Sequence, residues 1–442
     1  MRALPPLDDS CQLEHRVAQI LTEQEIHGWY FNEQKAQQLE SSLRGEMEEL
    51  FEILRRQWTL IGGKMFTPKR NNSTQGYFAG TGVTQQHKHL GKLIDIEECS
   101  FTRLIEFNPT SRDHIAWILT NRLNVKLTKT TTTGKPIIDE ITLTEINIPF
   151  SLQCAKCLTI KKKLGMISEG VNAYNKLVTA EHRLHHHCSV STNTFRCAHR
   201  KPNLAQCPAD KEFRKLFTAS PKMVMVGADL SGIELRMLAH YLADFDGGRY
   251  GDILLNGDIH QVNADKIGIS RRLVKTVSYA FLYGAGNIKL GQSYDNTLNE
   301  QQAKKKGKEI REAYVSAIDG LSDLLKGVKN KLLEKKYLKA IDGRRVLVDS
   351  PHKALNYLLQ CSAGIIAKRW LVIANDLFVK NNVHTHQLAF VHDELQFECE
   401  PKSIIAVRYG LEVSATLAGE YYNLRCPIAA ESKHGKTWAD VH

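Results

Sequence analysis

Asp229 and Asp393 each close a short apolar run, a placement that suits metal-assisted phosphoryl transfer. Met223-Val224-Met225-Val226 ends at Gly227-Ala228-Asp229, and Leu388-Ala389-Phe390-Val391 ends at His392-Asp393-Glu394. Both runs read as buried strands that deliver an acid where the strand stops. Hard divalent cations take carboxylate oxygens, and a pair of them lowers the charge on the attacking and leaving oxygens of a transferred phosphoryl group. Asp229 and Asp393 could share such ions if their strands are neighbours, with the backbone carbonyl of Leu230 as a further ligand. A single aspartate at a strand end is also common in ordinary turns, so neither one carries the reading alone.

A second pattern is more specific. Arg271, Lys275, Tyr279 and Tyr283 follow one another at steps of four and fall along one stripe of a helix. Two cations and two phenols on one stripe are unusual for a core. The cations could grip a triphosphate while the rings further along stack against a sugar and a base.

The elements that must position these groups can be read outward from them. Residues 241–336 between the two acid-bearing strands are mainly helical in pattern and rich in lysine, including Lys304-Lys305-Lys306-Gly307-Lys308. Residues 13–57 read as two amphipathic helices broken at His27-Gly28, a long hairpin. Residues 61–93 turn to glycine, threonine, glutamine and asparagine with five Lys or Arg and no Asp or Glu, which reads as a basic, flexible insertion. Ser111 is placed to cap a helix, and a further helix runs from Pro149 to Leu164, closing on Lys161-Lys162-Lys163. Cys154 and Cys157 form the one C-x-x-C, with no second pair at zinc spacing, and read as two positions of that helix. His185-His186-His187 reads as a polar turn, because three consecutive side chains in regular structure cannot all point at one ion.

Whole-chain composition sets the frame. Lys plus Arg number 59 against 48 Asp plus Glu over 442 residues, giving a formal charge of +11 and a pI near 9.0, which favours a polyanionic partner. No apolar run is expected to span a membrane, which takes roughly 18 to 20 residues. The first residues lack the apolar stretch of a signal peptide. Ten scattered cysteines fit reduced thiols, and the expected location is the cytoplasm.

Taken together, the motifs resemble those of the family A, polymerase I-like DNA polymerases, and within them the branch from T-odd short-tailed phages. The first motif is Asp229-Leu230-Ser231-Gly232-Ile233-Glu234-Leu235-Arg236. The second runs from Arg271 through Lys275, Tyr279 and Tyr283 into Gly284-Ala285-Gly286, and the third is Val391-His392-Asp393-Glu394. Asn108-Pro109-Thr110-Ser111-Arg112-Asp113-His114, Asn203-Leu204-Ala205-Gln206, Asn256-Gly257-Asp258-Ile259-His260 and Ser350-Pro351-His352-Lys353-Ala354-Leu355-Asn356 are similar to that branch as well.

The resemblance implies an α+β right-hand fold: a thumb over 13–185 with an insertion at about 58–104, a palm over 186–240 and 356–442, and fingers over 241–355. It implies a DNA-templated polymerase that uses dNTPs and two Mg2+ ions, with Mn2+ as a substitute. Asp229, Asp393 and the Leu230 carbonyl would hold the ions, and Glu394 would help shape their site. Arg271, Lys275 and His260 would contact the triphosphate, with Lys275 also a general acid toward pyrophosphate. Glu234 would exclude a 2′-hydroxyl, and Tyr279 would sense the 3′ side of the sugar, where a tyrosine implies weak rejection of dideoxynucleotides. Tyr283 would stack at the template position. Arg196, Gln360 and His392 would probe the minor groove of the new duplex, with Gln206 and Asn356 also meeting DNA.

Three departures qualify this. The family's Thr-Gly-Arg is here Thr194-Phe195-Arg196, which loosens the assignment of Arg196. Nothing before about Leu13 could hold a proofreading exonuclease, so no 3′-to-5′ editing is expected of this chain; a separate exonuclease and a helicase-primase are candidate partners in phage genome replication within an infected bacterial cytoplasm. The insertion looks shorter than the one that binds a thioredoxin-like processivity factor in the branch, and could hold duplex DNA directly. A silent, polymerase-derived DNA-binding or processivity protein is the alternative, against which the intact Asp229, Asp393, Lys275 and Arg271 speak. A single-subunit RNA polymerase is disfavoured by Glu234.

Overall fold

The computed structural model describes residues 8–66, 70–72, 77–79, 101–131, 133–190, 192–295 and 298–442. Most of the expected insertion at about 58–104 lies outside these residues, as does any surface for a processivity factor there. The chain divides into two compact units, Glu40–Met166 and the remainder, Met1–Leu39 with Ile167–His442. The smaller unit lies inside the span expected for a thumb.

In the smaller unit, helices Arg112–Asn121, Glu140–Ile146 and Pro149–Leu164 bury Ile115, Leu119, Leu143, Phe150 and Leu158 in one core. The Ser111 hydroxyl caps the first of them by accepting from the His114 N–H, as its sequence position implies. Cys154 and Cys157 are buried free thiols on the third helix, and burial pushes the Cys157 thiol up to about 11. They are core positions, as expected.

The larger unit holds every candidate site residue. The elements that position those residues are, in chain order, α1 (Asp9–His27), β1 (Trp29–Phe31), β2 (Arg183–Leu184), β3 (His187–Ser189), β4 (Ala198–Arg200), β5 (Phe217–Thr218), β6 (Val224–Leu230), α2 (Ile233–Asp246), α3 (Ile259–Ile267), α4 (Arg271–Leu282), α5 (Ala354–Lys380), β7 (Thr385–Val391), β8 (Glu394–Cys399), α6 (Ile404–Tyr421), β9 (Ala430–Gly435) and α7 (Trp438–Val441). Four of the strands form an antiparallel sheet in the order β7-β8-β6-β9. Nearly every residue of β6 and all of β8 are buried, so both faces of the sheet are covered. Helix α6 packs on β6 and β9, and α5 packs on α6. This double coverage is why the strands read as continuous apolar runs rather than alternating ones.

The segment between β6 and β7 is helical, as its pattern implies. Two of its helices, Asn287–Tyr294 and Glu300–Ala317, touch backbone to backbone. A Cβ on Gly307 would lie 1.7 Å from the Asn287 carbonyl oxygen, so the glycine inside the lysine run is what permits that approach.

Three expectations need correction. Residues 13–57 do contain the two expected helices, Asp9–His27 and Glu33–Gln57, broken at Gly28, but their connection is not a plain hairpin turn: β1 intervenes and joins a small sheet in the order β2-β1-β5, while α1 packs on α5 and β7. Trp29-Tyr30-Phe31, three aromatics in a row, carried the strand signal. The His185–His187 run is not a polar turn, since β3 starts at His187 and His186 is fully buried. Finally, residues 351–380 include an 18-residue window of mean hydropathy 1.2, long and apolar enough to span a membrane. That window is 78% buried within the protein, which marks it as a core helix.

The same helix carries a fully buried Lys368, whose Nζ donates to Glu14 of α1 at 2.6 Å. Arg344 donates to the other oxygen of Glu14. Removing one partner of a buried pair strands the other charge. Glu14→Ala should therefore destabilise the fold by about 3 kcal/mol, read as a lowered thermal midpoint. The double variant Glu14→Leu with Lys368→Met should recover most of that loss. A midpoint unchanged by Glu14→Ala would show that the pair does not hold α1 in place.

Candidate active site

The sheet register brings the two aspartates together. β6 and β8 pair so that Asp229 lies opposite Glu394, and the Leu230 N–H donates to the Asp393 carbonyl at 3.0 Å. The strand beside β6 is thus the one that follows Asp393, with β7 one place further out. Val391 pairs with Glu394, leaving His392-Asp393 as a two-residue turn at the tip of the hairpin. His392 has φ +58°, the left-handed geometry such turns require, here adopted by a non-glycine residue at the mouth of the site.

Asp229 is exposed to solvent, yet neighbouring acids and surrounding protein atoms crowd its carboxyl. Partial burial, then Asp393 and Glu394, push its carboxyl up to about 7. Burial and the neighbouring Glu234 push Asp393 up to about 6, with Arg196 acting in the opposite sense. Two carboxyls that resist ionising side by side form an oxygen-rich site whose charge a divalent cation would neutralise. That donor set fits a hard ion such as Mg2+.

Glu394 is occupied differently. It is buried, and its Oε1 accepts from Gln396 Nε2 and Trp438 Nε1, each at 2.6 Å, while Oε2 pairs with His442 Nδ1 at 3.0 Å. Burial alone would raise it, but these donors hold the carboxyl below its ordinary value. It is a fixed negative charge beneath Asp229. A Cβ on Gly227 would fall 2.5 Å from the Gln396 amide, so glycine at that position of β6 makes room for the donor. Neither Trp438 nor His442 was expected from sequence, because nothing local signals a partner more than forty residues away.

Glu234, in the first turn of α2, joins two other elements. Its Oε1 accepts from Arg196 Nη2 at 2.8 Å and from the Tyr283 hydroxyl at 2.9 Å. Tyr283 ends α4, and burial together with Glu234 pushes its phenol up to about 12. The Asn356 amide donates to the Leu282 carbonyl, so it secures the end of α4.

The stripe expected on a helix is present on α4, which Ser270 caps. Arg271 Nε donates to Asp258 at 2.6 Å, and Asp258 in turn caps α3 by accepting from the His260 and Gln261 N–H groups. Burial holds the His260 ring below its ordinary value; Asp258 pulls it up, and Arg271 and Lys275 press it down. Its Nδ1 is buried without a partner. Lys275 is exposed. Tyr279 bridges the two sides, with its ring 6.2 Å from that of His260 and its phenol raised by burial, then Glu234 and Asp393. Cations, tyrosine and acids therefore share one locality. Gln206, exposed on the turn Leu204–Gln206, and Gln360, half-buried on α5, make no described hydrogen bond to the cluster.

The raised carboxyls have a consequence for stability. A carboxyl raised above its unfolded value of 3.8 leaves the folded state holding more protons than the unfolded one, so stability falls as pH rises from about 4 to about 7. In the absence of divalent ions, Asp229→Asn should raise the thermal midpoint by several degrees at about pH 8 and change it little at about pH 4. Added Mg2+ should stabilise the parent at the higher pH more than the variant. Equal midpoints for parent and variant at both pH values would show that the acids do not repel one another.

Comparison with known proteins identifies the family and the fold. The family profile described as DNA polymerase family A matches residues 81–440. The DNA-directed DNA polymerase of Escherichia phage T7 is 29% identical over 502 residues, covering 98% of this chain and 70% of that protein. DNA polymerase I of Helicobacter pylori strain J99 is 26% identical over 365 residues, covering 76% of this chain and 38% of that one. Among solved structures, the POL domain of Pol1 from M. smegmatis, in complex with DNA primer-template and dNTP, superposes with a TM-score of 0.75 at 20% identity, covering 97% of this chain and 70% of that chain. The fold is the α+β polymerase fold, and the chain belongs to DNA polymerase family A, the DNA-directed DNA polymerases.

Proposed function

We propose that this chain extends a DNA primer on a DNA template with dNTPs, using Asp229 and Asp393 to hold two Mg2+ ions, with Mn2+ as a substitute. The observation that carries this reading is the convergence of those two raised carboxyls with the Arg271, Lys275 and His260 face through Tyr279. The bound ions would lower the charge on the attacking and leaving oxygens. The remaining chemistry belongs to the side chains. Arg271, Lys275 and His260 neutralise the triphosphate; the primer 3′-hydroxyl gives its proton to solvent as its oxygen bonds to the α-phosphorus, the bond from that phosphorus to the pyrophosphate oxygen breaks, and Lys275 donates a proton to the departing pyrophosphate. Arg271 exchanges its Asp258 partner for phosphate oxygens. The Leu230 carbonyl adds a backbone ligand, and Glu394, engaged by its own donors, acts on the metals only through its charge.

Glu234 excludes a 2′-hydroxyl sterically, and Tyr279 lies along the 3′ side of the sugar. Tyr283 occupies the template position over Glu234. Arg196, His392 and Gln360 read the minor groove, where every correct pair offers an acceptor in nearly the same place, and Gln206 contacts DNA further along. Asn356 acts through the end of α4 that it secures. In domain terms the smaller unit belongs to the thumb, the four-stranded sheet with α5 and α6 to the palm, and α3 and α4 to the fingers. Similarity to the T7 enzyme supports a role in phage genome replication, with an exonuclease, a helicase-primase and a thioredoxin-like factor as candidate partners.

Primer extension tests the metal site. Asp229→Ala and Asp393→Ala should each lose on the order of a thousandfold or more in rate, since charge stabilisation by the ions is worth several kcal/mol. DNA affinity should stay within a few-fold, because phosphate contacts elsewhere supply most of it. Extension at the parent rate by either variant would overturn the assignment. For sugar selection, Glu234→Ala should raise ribonucleotide incorporation, and Tyr279→Phe should reduce the use of dideoxynucleotides while sparing dNTPs. Unchanged selectivity in both variants would remove these residues from the sugar pocket.

A further inference from the structure

Away from the aspartates, the hairpin of β3 and β4 gathers a second group of ligand-bearing side chains. Cys188 and His199 are register partners across the hairpin, so their side chains leave the same face. His186 precedes Cys188 by two residues and shares that face by the alternation of extended chain. One ligand atom from each of the three lies within 4.8 Å of the others, and Cys188 Sγ is 3.3 Å from His199 Nδ1. The imidazole planes stack 5.6 Å apart at 14°.

His186 is fully buried and His199 is 7% exposed, yet His186 Nδ1 and His199 Nε2 have no hydrogen-bond partner. Burying a polar atom without a partner is costly, so this cluster is unsatisfied as a purely structural arrangement. Gln24 of α1 aims its amide into the same group, with Nε2 at 3.1 Å from His186 Nε2 and 3.6 Å from Cys188 Sγ. Gln387 Nε2 donates to Gln24 Oε1 at 2.7 Å, while Gln387 Oε1 is itself buried and unpaired. If both amides turn over, Gln24 Oε1 faces His186 and Gln24 Nε2 donates to Gln387 Oε1. That second arrangement supplies the carbonyl acceptor a metal-bound histidine gives its other N–H to.

We propose that His186, Cys188 and His199 form a binding site for a zinc-class divalent cation, with Gln24 orienting the His186 ring. Two imidazoles and a thiolate are the donors zinc takes, and they differ from the oxygen set that Mg2+ demands. Tetrahedral bonds of about 2.0–2.3 Å place ligand atoms roughly 3.3–3.7 Å apart, a small contraction from the spacing present. Binding forms a metal–sulfur bond, breaks the Cys188 S–H bond and releases that proton to solvent. Cys197, a buried thiol two residues before His199, stands near enough for its charge to bear on Cys188. The cation would fasten the hairpin whose connecting loop carries Arg196, the partner of Glu234.

The test uses the full chain, purified without chelator. About one equivalent of zinc per chain should be retained. Exchange with Co2+ should give the near-ultraviolet sulfur-to-cobalt absorption of a thiolate ligand. Cys188→Ser and His199→Ala should lose that absorption, whereas Cys11→Ser, which alters an exposed thiol, and Asp229→Ala should keep it. Removing the metal from the parent should lower its thermal midpoint. A parent chain that holds no zinc and gives no thiolate absorption with Co2+, a measurement independent of whether the variants fold, overturns the proposal. An absorption that persists in folded Cys188→Ser does the same.

Discussion

The antiparallel pairing of β6 with β8 holds carboxylates in mutual repulsion, and the rest of the larger unit is arranged around tolerating it. Asp229 sits opposite Glu394, while Asp393 occupies the tip of the adjoining turn with its carbonyl bonded to the next residue of β6. Left alone, like charges this close would favour protonation or separation. Separation is prevented by backbone hydrogen bonds on both sides of β6 and by the core helices packed on the sheet. Protonation is met unevenly. Glu394, which has donors on both oxygens, stays ionised, and the two aspartates take the raised values. The sheet therefore stores an unmet demand for positive charge at one point of its surface.

Glu234 extends that logic to the helical segment. It receives one hydrogen bond from Arg196, in the loop that joins β3 to β4, and one from Tyr283, at the end of α4. One carboxylate thus ties together three elements that are far apart in sequence. The tie to α4 is a single hydroxyl bond on a residue that is half exposed, so it is weak enough to be exchanged. The Arg271–Asp258 pair at the other end of α4 is solvent-exposed on both sides and is worth little by itself. The side-chain pairs of Arg271 and Tyr283 at the two ends of α4 are ones a polyanionic ligand can replace at small cost, while its Ser270 cap, the Asn356 bond and its buried face keep the helix in place.

How much of this could be read from residues depended on how far each feature reaches along the chain. The strands bearing Asp229 and Asp393, the helix from Pro149 to Leu164 and the stripe on α4 follow from local periodicity and were legible. The three-residue strand β1 was not, because its neighbours are two long helices and its partners lie about 150 and 190 residues away. His185–His187 misled for a related reason. Consecutive histidines look polar, yet β3 turns His186 inward against α1, which no local pattern announces. The α5 helix contains no unbroken apolar run of spanning length because Lys368 and Arg369 interrupt it, and those cations are matched by Glu14 and Asp9 on α1. The Glu394 network was hidden because its donors sit in the last turn of the chain.

The chemistry of the donor atoms explains how one unit can serve two kinds of cation. Near Asp229 and Asp393 the available ligands are carboxylate and carbonyl oxygens, which suit a hard ion that keeps most of its water. On the β3–β4 hairpin the ligands are imidazole nitrogens and a thiol in a buried setting, which suit a softer ion that gives its water up. His392 stands between the two groups. It belongs to the Asp393 turn, and its charge bears on His199. Its Nδ1 is buried and unpaired, so it has capacity for one further hydrogen bond. A cation fixing His199 would fix the wall against which His392 rests. Rigidity on the hairpin side and exchangeable contacts on the α4 side then complement each other, because a fixed sheet edge gives the mobile cations a constant target.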